Sequence, residues 1–107
     1  MKQVVLTKYG PPEVLQVKEF DTPEPKPNEI RVKVHYAGIN FAEIMARMKL
    51  YPGGPKPGSV LGGEVSGIVD KIGEEVKDIK IGQKVIGLSM KGSYTSHVCL
   101  EPKSIIP

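Results

Sequence analysis

The chain has 107 residues, a formal charge of +3, 39% apolar and 25% charged residues, which gives room for one packed domain and excludes a disordered chain. Val and Ile number 22 against nine Leu and Ala, and Gly with Pro number another 22, so strands joined by sharp connections are favoured and long helices excluded. No stretch free of Asp, Glu, Lys and Arg exceeds nine residues, too short for a transmembrane helix, and the basic residues alternate with acidic ones without an aromatic stripe, which argues against nucleic acid as partner.

Val4 to Leu6 begin a strand, Tyr9-Gly10-Pro11-Pro12 is a turn signal, and residues 14–20 form a second strand, predicting a hairpin-like pair. Residues 21–28 (DTPEPKPN) carry three prolines, each lacking a backbone donor, so this segment is expected to run along the surface outside any sheet. Residues 29–36 (EIRVKVHY) alternate as a strand should, with Ile30, Val32, Val34 and Tyr36 on one face and Arg31, Lys33 and His35 on the other. A short helix is predicted over 41–49: Asn40 is its N-cap, Glu43 the capping-box partner, and Phe41, Ile44, Met45 and Met48 recur at helical spacing, with Phe41, Met45 and Met48 on a shared face that by composition is more often core than pocket. Residues 50–59 (LYPGGPKPGS), with six Gly and Pro, predict a shaped loop, and further strands are expected over 63–71, 84–88 and 94–100.

No G-x-G-x-x-G and no G-x-x-x-x-G-K occurs, so the chain carries no glycine cradle for nucleotide phosphates. His97 and Cys99, two apart on a strand, would point the same way and offer two metal ligands. A catalytic zinc usually takes three protein ligands and His35 is the sole other imidazole, so no metal is expected and both residues are read as strand packing. The single cysteine excludes an intrachain disulfide, and the start MKQVVLTKYG lacks an apolar signal core, so a cytoplasmic protein is expected.

The stretch AGINFAEIMARMKLYPGG, followed by SVLGGEVSGIVDKIGEEVKDIKIGQKVIG, resembles the amino-terminal domain of the medium-chain dehydrogenases/reductases, the zinc alcohol dehydrogenase superfamily. Within it the likeness is to the zinc-free quinone oxidoreductases, including zeta-crystallin and the vesicle amine transport protein branch. Where the zinc enzymes carry Gly-Ile-Cys-His this chain has Gly38-Ile39-Asn40-Phe41, and where they carry Leu-Gly-His-Glu it has Leu61-Gly62-Gly63-Glu64, so the resemblance implies no zinc. Gln83 stands where relatives usually have Asp, a change expected to affect a turn.

The resemblance implies a mainly β fold, a GroES-like partly open β-barrel with one or two short helices, with the family's Rossmann domain absent from residues 1–107. It further implies the substrate side of a two-domain reductase that transfers hydride from NADPH to a quinone or enone in the interdomain cleft. Asn40, Phe41, Met45, Tyr51 and Gly63 would line that cleft, with Met45 where several quinone reductases carry a tyrosine, and Glu64 would be a structural acid tying down a buried turn. The chain alone is expected to be inactive and to associate as a homo-oligomer through an apolar face and an unpaired strand edge, unless residues 21–28 or the tail 101–107 fold over that edge. The alternative is a stand-alone binding or self-association module. Membrane-surface adaptor duty is suggested only by the vesicle-protein branch.

Overall fold

The computed structural model describes residues 1–50 and 52–106. Strands β1 (Lys2–Leu6) and β2 (Leu15–Glu19) pair antiparallel from Lys2 opposite Glu19 to Leu6 opposite Leu15. The expected turn between them ends in a 3-10 turn at Pro12–Val14, where proline fits because the first helical N–H needs no partner, and this turn carries Val14 into the interior.

The second sheet is built from β3 (Ile30–Ala37), β4 (Glu64–Ile72), β5 (Lys84–Leu88), β6 (His97–Leu100) and β7 (Ile105–Ile106), in the order β6-β3-β4-β5-β7. Every pairing among the described strands is antiparallel, and the sheet curls around a core of Ile30, Val32, Val65, Val69, Val85, Val98 and Leu100. That curl is the partly open barrel expected. β7 was not legible as a strand, since two residues show no alternation; a 3-10 turn at Pro102–Ser104 lays it on β5, with Ile105 opposite Gly87 and Ile106 opposite Ile86. The tail thus lies on the β5 edge at Ile86 and Gly87, which is the alternative to a fully unpaired edge.

β3 departs from its predicted alternation at one point. Val34 pairs with Gly67 and Tyr36 with Ser66, so His35 is the extra residue of a β-bulge. The bulge turns Tyr36 onto the outer face, where it is 77% exposed, instead of continuing the buried row of Ile30 and Val32.

Helix α1 (Phe41–Arg47) has the predicted start. Its buried residue is Ala46, packed with Leu6, Val14 and Leu61 in a second core, while Phe41, Ile44 and Met48 are exposed. A small side chain lets the helix backbone sit close to Leu6 and Leu61. Phe41, Ile44 and Met48 thus form the open apolar face expected of this chain and do not pack into its core.

The proline-rich segment 21–28 is a strap across β3 and β6. Arg31 donates from Nε to Asp70 Oδ1 at 2.8 Å and from Nη1 to the Pro23 carbonyl at 3.1 Å, and Glu24 bridges Arg31 and Lys71. Asp70 beside it holds the Arg31 guanidinium above its ordinary pKa. Buried Glu29 accepts the Lys26 N–H at 3.0 Å, which holds its carboxyl below the usual range, and Lys91 stands 3.5 Å away.

Candidate functional site

The site is built where β3 runs into α1 and the loop 55–63 runs into β4. Gly38 donates its N–H to the Glu64 carbonyl at 3.1 Å, closing the end of the β3–β4 ladder. Two residues on, extended Asn40 stops the strand and starts the helix, and the Glu43 carboxylate accepts the Asn40 backbone N–H at 3.0 Å. The Asn40 side chain reaches across to β4: Nδ2 donates to Glu64 Oε1 at 3.0 Å and lies 3.5 Å from Glu43 Oε1. Gly38 leaves room for this contact, because a Cβ there would stand 2.2 Å from Glu64 Oε1 and push that side chain aside.

Beside this cluster lies a cleft of about 280 Å³ between α1 and the loop before β4. Ala42, Ala46, Val60, Leu61 and Pro55 give it apolar walls, Glu43 and Gly63 complete its lining with Gly62 and Gly92, and fully exposed Met90 lies beside them. Its size is near the lower end for small-molecule sites, about 300–1,000 Å³, and suits one ring system. A larger groove of about 570 Å³ runs on the outer sheet face past His35, Tyr36 and Ile86, where the bulge leaves a furrow.

Of the residues expected on the cleft, the structure brings Gly63 to it, while Asn40 lies beside it, next to the lining residue Glu43, and bonds Glu64. Phe41 (73% exposed) and half-buried Met45 lie on α1 but do not line the cleft, and Tyr51 lies outside the described residues. Glu64 is corrected from an acid within a buried turn to an exposed one, held at the sheet's end against Asn40. Glu43, Ala42, Ala46 and Met90 were missed as site residues. Glu43 was read only as a cap, and small side chains carry no chemical signal.

The groups around Asn40 are an amide and two carboxylates already engaged by it, a donor set without the thiolate or imidazole that zinc favours. Among the described residues no three His, Cys, Asp or Glu converge. His97 and Cys99 belong to the strap: His97 Nε2 is 3.6 Å from Asp70 Oδ2 and Cys99 Sγ points to the Pro23 carbonyl at 3.9 Å. Burial pushes the Cys99 thiol up and the His97 imidazole down. Neither touches the cleft.

Comparison with known proteins agrees with this architecture. Residues 26–106 match the alcohol dehydrogenase GroES-like domain. Quinone oxidoreductase 1 of Escherichia coli is 43% identical over 103 residues, covering 94% of this chain and 31% of that protein. Among solved structures, the human synaptic vesicle membrane protein VAT-1 homolog-like protein superposes with a TM-score of 0.91 at 31% identity over 99% of this chain and 34% of its own. The E. coli quinone oxidoreductase complexed with NADPH gives 0.88 at 39% identity over 99% of this chain and 32% of its own. The chain thus spans about a third of the length of these relatives. None of the described helices is long and apolar enough to cross a membrane. By its sequence, its curled antiparallel sheet and its helix seated beside a cleft, the chain belongs to the alcohol dehydrogenase GroES-like domain family of the medium-chain dehydrogenases/reductases.

Proposed function

We propose that this chain is the substrate-side domain of a zinc-independent, NADPH-dependent quinone or enone reductase. One observation carries the reading. α1 turns Phe41, Ile44 and Met48 outward next to a small apolar cleft, as a domain does when it contributes one wall of a site and a further domain contributes the other. The relatives named quinone oxidoreductases, one of them in complex with NADPH, supply the chemical class.

NADPH supplies the hydride when bound, and the all-antiparallel strands here offer no glycine-rich strand-to-helix turn for its pyrophosphate. The part played by this chain is exclusion and orientation. Ala42, Ala46, Val60 and Leu61 keep water from one side of a flat acceptor, and the methyl-sized alanines leave room for a ring against the helix. Homo-oligomerisation is assigned to the α1 face, where Phe41, Ile44 and Met48 are exposed.

The test is NADPH oxidation by a quinone, with this chain alone and with a protein joining it to a nucleotide-binding domain. The chain alone is expected to turn over nothing. Micromolar NADPH affinity of the 107-residue chain by calorimetry, or stoichiometric zinc in protein purified without chelators, overturns the reading.

A further inference from the structure

We propose that Glu64 is a positioning residue that fixes the Asn40 carboxamide with its nitrogen turned to β4, so that Asn40 reads a hydrogen-bond donor on a bound molecule and not a quinone oxygen. Carboxylates only accept, so the end of the amide that faces Glu64 and Glu43 must be the NH2 end. One Nδ2 proton is spent on Glu64 at 3.0 Å and the other points toward Glu43 at 3.5 Å. The Glu43 N–H donates to the Asn40 backbone carbonyl at 3.1 Å, so the side-chain oxygen keeps its lone pairs free. That acceptor oxygen is Asn40's remaining capacity. It suits a hydroxyl or amide N–H, whereas a quinone has only acceptors.

Gly38 is a second observation pointing the same way. The carboxylate of Glu64 lies where any side chain at position 38 would go, so the absence of a Cβ there is what lets Glu64 reach Asn40. The contact is exposed, and an exposed hydrogen bond adds little to stability; what it sets is direction. The ligand class rests on the reductase reading above, while the orientation of Asn40 does not.

The experiment is NMR of the Asn40 side-chain amide in this chain, with Glu64→Ala, Glu64→Gln and Gly38→Ala compared with the parent. The parent is expected to show one Nδ2 proton shifted downfield by its carboxylate partner. That shift falls to the free-amide position in Glu64→Ala, falls in Gly38→Ala because the carboxylate is displaced though present, and is partly kept in Glu64→Gln, whose amide oxygen still accepts. Unchanged Asn40 signals in both Glu64→Ala and Gly38→Ala overturn the proposal, and Gly38→Ala alone decides if Glu64→Ala does not fold. Two probes read the ligand class: nicotinamide, which carries an amide donor, should move the Asn40 carbonyl carbon, and duroquinone should not move the Asn40 amide. Movement of the Nδ2 protons by duroquinone, or no movement of Asn40 by nicotinamide at tens of millimolar, overturns the donor reading. Failure of duroquinone to move the Ala42 and Ala46 methyls counts instead against the quinone cleft.

Discussion

The two sides of this small barrel are finished to different degrees. On the strap side, Arg31, Asp70, Glu24, Lys71 and Glu29 have partners within the chain, and the proline-rich segment covers β3 and β6. On the helix side, Ile39, Phe41, Met48 and Leu50 are exposed, and one amide held by two acids stands beside an apolar cleft. Both sides share one backbone architecture, so the difference lies in what the side chains have been given to do. A surface that satisfies its own groups is structural, and one that leaves apolar area and a single fixed polar group is built to meet something.

The comparison breaks most sharply under mutation of equivalent apolar residues. Ile30, fully buried at the base of β3, should lose about 2–5 kcal/mol on conversion to alanine, a large part of the ~5–15 kcal/mol typical of a domain. Phe41→Ser, on the open side, should change stability by no more than ~0.5 kcal/mol because the ring is already in water. Urea denaturation of the two variants checks this, and a loss at Phe41 comparable with that at Ile30 would mean the helix face is packed after all.

Arg31→Met tests the strap. It leaves the Pro23 carbonyl without its donor and Asp70 without its nearest cation, with a cost of about 1–3 kcal/mol because the guanidinium side chain is only 16% exposed. Limited proteolysis should then cut within residues 21–28 before any other segment. A variant as stable as the parent, and cut elsewhere first, would show that the prolines alone hold the strap.

A smaller effect is expected from His97, whose pKa is lowered chiefly by burial, with the Asp70 charge opposing. The unfolded chain takes up this proton more readily than the folded one, so stability is full above the unfolded value of about 6.5 and declines as pH falls below it toward the folded value. Glu24 and Glu29 are held low by Lys71 and by the Lys26 N–H, so their contributions fade only below the ordinary carboxyl value of about 4.3. Between pH 7 and 5 the midpoint of urea unfolding should therefore fall, and His97→Gln should flatten that slope. An equal slope in the variant would remove His97 as its source.

Much of the strap side was legible in the sequence because its signals are local. Three prolines in eight residues cannot enter a sheet, and the alternation of Ile30, Val32 and Val34 holds in the structure. The open side was legible only in part. The N-cap and the capping-box acid located the start of α1, but an apolar stripe reads the same whether a neighbour within the chain covers it or nothing does. What chose the facing was Ala46 fitting against Leu6 and Leu61, which depends on chain segments 40 and 15 positions away. The Asn40–Glu64 contact spans 24 residues and exists because β3 and β4 pair, so no local pattern announces it. Likewise the bulge at His35 interrupts a sequence whose alternation runs on without a break.

The gentlest test lies in two adjacent glycines at the site. Gly62 has φ +98°, and a Cβ there would meet the Oγ of buried Ser93 at 1.9 Å, so Gly62→Ala is strained in backbone and in space. Gly63 lies outside the left-handed region and a Cβ on it would meet nothing within 4 Å. Gly63→Ala should therefore gain about 0.4–1 kcal/mol, since the new side chain restricts the unfolded chain and costs the folded one nothing. For a domain of this size that is a rise in Tm of a few degrees, at about 4–8 °C per kcal/mol. Gly63 lines the cleft and the added methyl group would stand in open space, so it should also weaken binding of a flat probe such as duroquinone while stability rises. Opposite signs for stability and binding at one methyl group are what a ligand-facing position gives and a packing position does not. If Gly63→Ala instead lowers Tm as Gly62→Ala does, the cleft lining is as closed as the strap side, and the contrast between the two sides does not extend to this position.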